Sequence, residues 1–305
     1  MYDTILVPTD GSDPAERATE HALGLARRFG ATVHLITVVD VQSAGGLFNA
    51  GGVSEEFVSQ LEDSARETLS DAAELADPDD DVRTAVVEGK PAEAILEYAD
   101  ENDADIVFMG THGRTGIQRY TTGSVTERVV RLSDVPVFTA HVTDRSVVGE
   151  GYDDVMIPTD GSDCADVAVD HCLAIAERYD ATVHAVNVVN VQAVATGADS
   201  WTEEGVDVGS TTDLFDDLEA RGESATERVA ERAREAGLDA VTDVREGVPA
   251  STLLDYADEN DVDLITIGTH GRTGIERYFI GSTTAKLVRT SEVPVLSVRA
   301  PGDDE

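Results

Sequence analysis

Short apolar runs alternate along this chain with longer segments whose apolar residues recur every three or four positions. In the first half "DTILVP" reads as a strand, and "SDPAERATEHALGLARRFG" reads as a helix. That helix opens on the cap residues Ser12 and Asp13 with a proline at its first helical position, and carries Ala18, Ala22, Leu25 and Phe29 as one apolar stripe. The pattern then predicts the strand "ATVHLITVV", a Gly-rich loop, and a long acidic helix from about Ser54 to Ala76 that stops near Pro78. Next come the strand "VRTAVVEG", the helix "PAEAILEYADEN", the buried strand "ADIVFMG", the helix "SVTERVVRL" and a last strand "VPVFTAHV". Five apolar runs alternating with helices predict an α/β fold with a mostly parallel sheet covered on both faces. Pro136 suits a strand start or an edge, because proline cannot donate to a central ladder.

The pattern occurs twice. "YDTILVPTDGSD" from Tyr2 matches "YDDVMIPTDGSD" from Tyr152, and "ATVHLITVVDVQ" from Ala31 matches "ATVHAVNVVNVQ" from Ala181, both offset by 150 residues. From Glu97, "EYADENDAD" matches "DYADENDVD" from Asp255, now offset by 158. The eight extra residues lie between Ala193 and Glu246, opposite Ser43 to Glu88. So long a period is a duplicated domain rather than a solenoid. The expected bounds are 1–142 for the first domain, 143–151 for a linker, 152–300 for the second domain and 301–305 for an acidic tail.

Composition sharpens this picture. The 305 residues suffice for two packed domains, and 61 acidic against 22 basic residues give a formal net charge of −39. Such a surface argues against nucleic acid as a partner. The carboxylates are spread through periodic segments, so they read as a solvated surface and not as a disordered block. Their mutual repulsion is screened at molar salt, where the Debye length is only about 3 Å, which points to a salt-rich cytoplasm and a halophilic source. The N-terminus has no basic, cleavable apolar leader and no run of about 18 apolar residues occurs, so a cytoplasmic protein without membrane contact is expected. Cys164 and Cys172 lack metal-like spacing; Cys172 stands where the first half has Ala22, on an apolar stripe, and reads as a small core residue.

The candidate chemistry lies in two phrases, each present twice. "GTHGRTGIQRYTTGS" from Gly110 and "GTHGRTGIERYFIGS" from Gly268 each run from the end of a buried strand to the start of a helix. Gly110, Gly113 and Gly116 permit tight turning and close approach of a ligand, and Ser124 opens a helix whose unpaired amides favour an anion. Arg114 and Arg119, repeated as Arg272 and Arg277, add positive charge. No GK[ST] closes the phrase and its first glycines are two residues apart, so it is neither a P-loop nor GxGxxG. Taken alone, a glycine-rich turn is usually only a turn; two copies in matching contexts raise the weight of the phosphate reading.

The second phrase, "PTDGS", follows the first strand of each half and holds Asp10 and Asp160. Its bland reading is a helix cap and turn, yet Asp13 and Asp163 already offer a cap. If strand one neighbours strand four, both phrases edge the crevice at the carboxyl ends of the strands, where doubly wound sheets take ligands. A carboxylate there can accept from ribose hydroxyls or an adenine amino group while the glycine loop takes phosphates, which makes the ligand a nucleotide.

These residues resemble the universal stress proteins of the UspA family over essentially the whole chain, in tandem. The family signature of GxxG, nine residues and G[ST] is matched by Gly110, Gly113, Gly123 and Ser124, and again by Gly268, Gly271, Gly281 and Ser282. The resemblance implies two flavodoxin-like (adenine nucleotide alpha hydrolase-like) domains, each a five-stranded parallel sheet in order 3-2-1-4-5. It also implies one ATP per domain, with Mg2+ or Mn2+ as accompanying ion. In the first domain Asp10 would meet the nucleoside, the backbone of Val38 the adenine, and the glycine loop of Gly110, Gly113 and Gly123 with Ser124 the phosphates, with Pro8, Thr9, Arg114 and Val125 completing the nucleotide site. The second domain would use Pro158, Thr159, Asp160 and Val188, then Gly268, Gly271, Arg272, Gly281, Ser282 and Thr283. Family members commonly dimerise through their last strands, so the resemblance implies an internal pair of domains, with a homodimer of tandem chains as the larger alternative. Thr283 in place of Val125, and Asn190 in place of Asp40, would make the two sites unequal; Thr121 and Thr122 stand where Phe279 and Ile280 are apolar.

Phosphoryl transfer needs a placed metal and an oriented nucleophile, and the spacing assigns neither. His112 and His270 read as structural loop residues before they read as bases, and His34 and His184 as sheet residues. "PTDGSD" is not the SGGxDS loop of pyrophosphate-releasing enzymes of similar fold. The sequence therefore favours an ATP-binding regulatory or protective protein, with a slow ATPase or nucleotide-dependent phosphotransferase as the alternative.

Overall fold

The computed structural model describes residues 1–41, 54–111, 123–146, 151–190, 211–269 and 280–300. The chain forms two compact units, Met1–Gly151 with Val288–Ser297, and Tyr152–Leu287 with Val298–Glu305. The first repeat runs β1 (Thr4–Pro8), α1 (Asp13–Phe29), β2 (Thr32–Val39), α2 (Glu55–Ala73), β3 (Val82–Glu88), α3 (Pro91–Glu101), β4 (Ile106–Gly110), α4 (Ser124–Leu132) and β5 (Val137–Ala140). The second runs β6 (Asp154–Pro158), α5 (Asp163–Tyr179), β7 (Thr182–Asn190), α6 (Thr211–Glu235), β8 (Ala240–Gly247), α7 (Pro249–Glu259), β9 (Leu264–Gly268), α8 (Ser282–Thr290) and β10 (Val295–Val298). Among the described residues no helix is long and apolar enough to cross a membrane.

The sheet of the first unit has the order β3-β2-β1-β4-β5, all parallel, as the family resemblance implies. Its far side departs from expectation: β10 lies antiparallel to β5, with Val295 opposite Thr139 and Leu296 opposite Phe138. The sheet of the first unit is therefore mixed and has a sixth strand. Covering β5 in this way removes an open row of backbone donors and acceptors. The second unit keeps β8-β7-β6-β9, again parallel. Of β10 only Val298 belongs to this unit, where its carbonyl accepts from the Thr269 amide at 2.7 Å.

The central strands are apolar on both faces because helices cover both. Ile5, Leu6 and Val7 in β1 and Ile106, Val107 and Phe108 in β4 are fully buried. Pro136 precedes β5, and its carbonyl accepts from Val107 at 3.0 Å, so the ring sits at a strand start. Cys172 is fully buried, and burial pushes its thiol up to about 12, as befits a core residue.

Two helix ends differ from their sequence reading. The long helix of the first repeat ends at Ala73, and three further residues relax through bonds such as Ala76 N–H to Ala73 O at 3.2 Å. At α1 the Ser12 side chain makes no capping bond; its hydroxyl donates instead to Asp10 Oδ1 at 2.6 Å. In α5 the equivalent Ser162 does cap, accepting from the Ala165 amide at 3.3 Å.

Candidate functional site

Each repeat opens a crevice at the carboxyl end of its first strand. In the first, the β1 and β2 ladder ends where the Thr9 amide donates to Ile36 O at 2.8 Å. Residues of a parallel strand direct both backbone groups to alternate neighbours, so two residues on, Val38 also faces the β1 side. Val39 faces the other way and accepts from Gly89 at 3.1 Å. Beyond Pro8 the backbone edge of Val38 thus borders the crevice and not a strand. The second repeat repeats this geometry: Thr159 donates to Val186 O at 2.9 Å, which turns Val188 toward the space beyond Pro158.

The "PTDGS" turns that follow are built alike. Gly11 and Gly161 have φ of 71° and 74°, a left-handed conformation suited to glycine, and their amides donate to Thr9 Oγ1 and Thr159 Oγ1 at 3.2 and 3.1 Å. The next amide, of Ser12 or Ser162, donates to Asp10 Oδ1 or Asp160 Oδ1 at 3.1 and 3.0 Å. Each aspartate is thereby fixed as the acceptor of a local turn at the crevice edge. The bland reading of these residues is true as far as it goes. Asp10 is exposed and Asp160 is half-buried.

The opposite wall is the strand-to-helix connection. Thr111 is buried at the end of β4, and the Gly123 amide donates to its carbonyl at 2.5 Å; Gly281 and Thr269 make the same bond at 2.7 Å. Thr126 Oγ1 donates to Gly110 O and Thr284 Oγ1 to Gly268 O, both at 2.8 Å, which pins each helix start over its strand end. The first internal bond of α4 is from Glu127 to Gly123 O, so Ser124, Val125 and Thr126 hold the positions whose amides have no acceptor within a helix. Such an N-terminus attracts an anion.

Gly110 has a reason of its own that the sequence does not show. A Cβ there would lie 2.5 Å from the Pro14 carbonyl carbon and 2.6 Å from the Ala15 nitrogen, so this glycine lets α1 pack against β4. At Gly268 the atoms met are Cys164 O at 2.9 Å and Cys164 Sγ at 3.0 Å. Gly113, Arg114, Gly116, Arg119, Gly271, Arg272 and Arg277 lie outside the described residues, as do His112 and His270.

In the second repeat the walls enclose a cleft of about 390 Å³. Pro158, Thr159, Asp160, Val188, Gly268, Gly281, Ser282 and Thr283 all line it, so every described residue expected for that site is brought together. Sequence reasoning misses the rest of the lining, notably Asn187, Leu218, Arg221, Gly222, Pro249 and Leu253. Asn187 Nδ2 donates to Thr159 O at 2.7 Å, where the first repeat has Thr37 donating to Thr9 O at 3.0 Å. The residues of α6 enter because Gly222 lets that helix approach: a Cβ there would lie 2.5 Å from Asn187 Oδ1. A buried glycine inside an acidic helix is the signal that could have found them.

A parallel sheet wound with helices on both faces, with its crevice where the strand order reverses, defines the class of doubly wound α/β proteins that take ligands at the carboxyl edge. Within that class, the model of the universal stress protein family matches residues 1–141 and again 151–299, and the chain belongs to that family. It is similar to a universal stress protein of Methanocaldococcus jannaschii, 40% identical over 139 residues, which covers 45% of this chain and 81% of that protein. A Synechocystis universal stress protein is 24% identical over 324 residues, spanning 97% of this chain and 99% of its own. The fold is also that of a crystal structure of a universal stress protein from Archaeoglobus fulgidus, with a TM-score of 0.70 over 98% of both chains at 20% identity.

Proposed function

We propose that each repeat binds one adenine nucleotide, ATP with an accompanying Mg2+ or Mn2+, and that the protein acts as a nucleotide-responsive regulatory or protective protein. The observation that carries this reading is the cleft of the second repeat, whose lining unites an outward-facing strand backbone at Val188, the turn carboxylate of Asp160 and the amide-rich start of α8. These are the three things a nucleotide asks for: an edge for the base, an acceptor for hydroxyl or amino hydrogens, and donors for phosphate. In this reading Asp10, Val38, Gly123 and Ser124 do the same in the first repeat, and Gly113, Arg114, Gly271 and Arg272 complete the phosphate loops. The charge balance favours a salt-rich cytoplasm as the setting. The antiparallel β5 and β10 ladder supports pairing of the two repeats through their last strands, with a homodimer of tandem chains as the larger assembly.

Calorimetry with Mg-ATP in molar KCl tests it. Two binding events per chain are expected, with Asp10→Ala and Asp160→Ala each removing or weakening one. No heat of binding, together with no adenine nucleotide released from the purified protein, would reject the reading. Release of ADP over many turnovers, lost in the double variant, would replace it with a slow ATPase.

A further inference from the structure

Resting on the nucleotide reading above, we propose that Arg221 is a phosphate contact of the second-repeat cleft, a charge for which α2 of the first repeat has no counterpart. Arg221 lines the cleft one turn along α6 from Leu218, beside the glycine that brings the helix close to β7. The other arginines of α6 are engaged: Arg232 with Asp170, Arg234 with Glu227 at 2.6 Å, and Arg228 with the Ser224 carbonyl at 3.2 Å. Arg221 forms no ion pair among the described residues, although Asp217 stands one helical turn before it. In a chain with 61 acidic and 22 basic residues, Arg221, an exposed residue, is the arginine that lines this cleft among the described residues.

Chemistry narrows what it would hold. A guanidinium has five donors in a planar fork, no acceptor, and a weak hydration shell, so it suits phosphate oxygens and not the acceptor-and-donor edge of adenine. Nor is its role general attraction at a distance, since molar salt screens charges beyond about 3 Å. Only direct contact would count there. In the first repeat the helix at this place, α2, has Arg66 as its single basic residue, and Glu62 and Asp63 hold it at 2.7 and 2.8 Å. The second site thus has, from its long helix, a cationic phosphate contact that α2 does not offer the first.

The test is calorimetry in molar KCl on chains carrying Asp10→Ala, titrated with adenosine, AMP, ADP and ATP, with and without Arg221→Ala. Adenosine affinity is expected to stay unchanged, while the loss grows with phosphate number to about tenfold for ATP, the size of one charge-assisted hydrogen bond. Arg221→Lys should recover part of it, and Arg221→Gln serves if the alanine variant melts early. Equal losses for adenosine and ATP, or none for ATP, would overturn the proposal while leaving the site in place. If the parent chain binds no adenine nucleotide, the functional reading itself fails and the proposal falls with it.

Discussion

The two repeats share their backbone devices and differ in what surrounds them. Both anchor the helix start to the strand end through a threonine hydroxyl, both hold an aspartate in a turn with the following serine amide, and both turn a valine backbone outward beyond the first strand. The Ser12 hydroxyl clasps Asp10, whereas Ser162 caps its helix. The helix after the second strand has 19 residues in the first repeat and 25 in the second, where it brings Leu218, Arg221 and Gly222 to the cleft. Duplication has kept the frame, and divergence has worked on the lining.

The strand-end glycines offer the largest contrast. Gly110→Ala places its Cβ against the backbone of Pro14 and Ala15, which are part of a helix and cannot step aside singly; Gly268→Ala meets one carbonyl at 2.9 Å and a thiol at 3.0 Å. The first substitution should cost roughly 3 kcal/mol and the second about half of that, the range seen for overpacked cores. Denaturant unfolding in molar KCl checks this. Equal costs would mean that α1 shifts as readily as α5, and the two strand ends would then be equivalent.

A pair of histidines gives the next. His21 in α1 is buried, with Nε2 at 3.1 Å from Ser146 Oγ, and burial, then the charge of Arg17, lowers it to about 3. Its counterpart His171 is lowered by burial as well, but opposed by Asp170. A base whose folded pKa lies below its unfolded value is protonated preferentially in the unfolded chain. Its neutral form therefore supports the fold above about pH 6.5, and that support is lost progressively as the pH falls toward about 3. Between about pH 7 and pH 5 the His21 contribution amounts to roughly 2 kcal/mol. Hydrogen exchange measured by peptide should show the first unit losing protection before the second on acidification, with His21→Gln flattening that loss. If the variant keeps the parent's slope, carboxylate titration alone governs acid sensitivity.

Much of this is legible in the sequence because the signals are local. The alternation of apolar runs with helical stripes places all ten strands and eight helices among the described residues. The same holds for the crevice, since a strand end followed by a glycine turn and a helix start constrains its own geometry. What the sequence hides is contact between distant segments. Nothing in "GTHG" tells that Gly110 faces the Pro14 backbone, and nothing in "ARGES" tells that Gly222 faces Asn187. The antiparallel placement of β10 beside β5 is equally non-local, because a short apolar strand pairs by edge availability, which no periodicity records.

The finest test of the comparison lies in the sheet, away from either cleft. His34 and His184 occupy the same place in β2 and β7, and each meets a tyrosine: Tyr98 hydroxyl to His34 Nδ1 at 3.2 Å, and Tyr256 hydroxyl to His184 Nδ1 at 2.8 Å. Among the described residues only the second is extended at both ends. Asp154, standing where the first repeat has Thr4, lies 2.8 Å from His184 Nε2, and Arg245 covers the Tyr256 ring at 4.6 Å while pairing with Asp243 and Glu259. Tyr256 is buried, and burial pushes its hydroxyl up to about 12, so it remains a neutral donor or acceptor. Removing that hydroxyl strands a buried ring nitrogen, which costs about 1 kcal/mol, whereas the longer, half-exposed bond of Tyr98 can be replaced by water and is worth roughly 0.5 kcal/mol. Tyr256→Phe should therefore lower the unfolding midpoint more than Tyr98→Phe, and adding His184→Gln should cost less in the Tyr256→Phe chain than in the parent, because the pair is coupled. Additive effects would show that the Asp154, His184 and Tyr256 chain is three separate contacts, and that the second repeat's sheet is held no differently from the first.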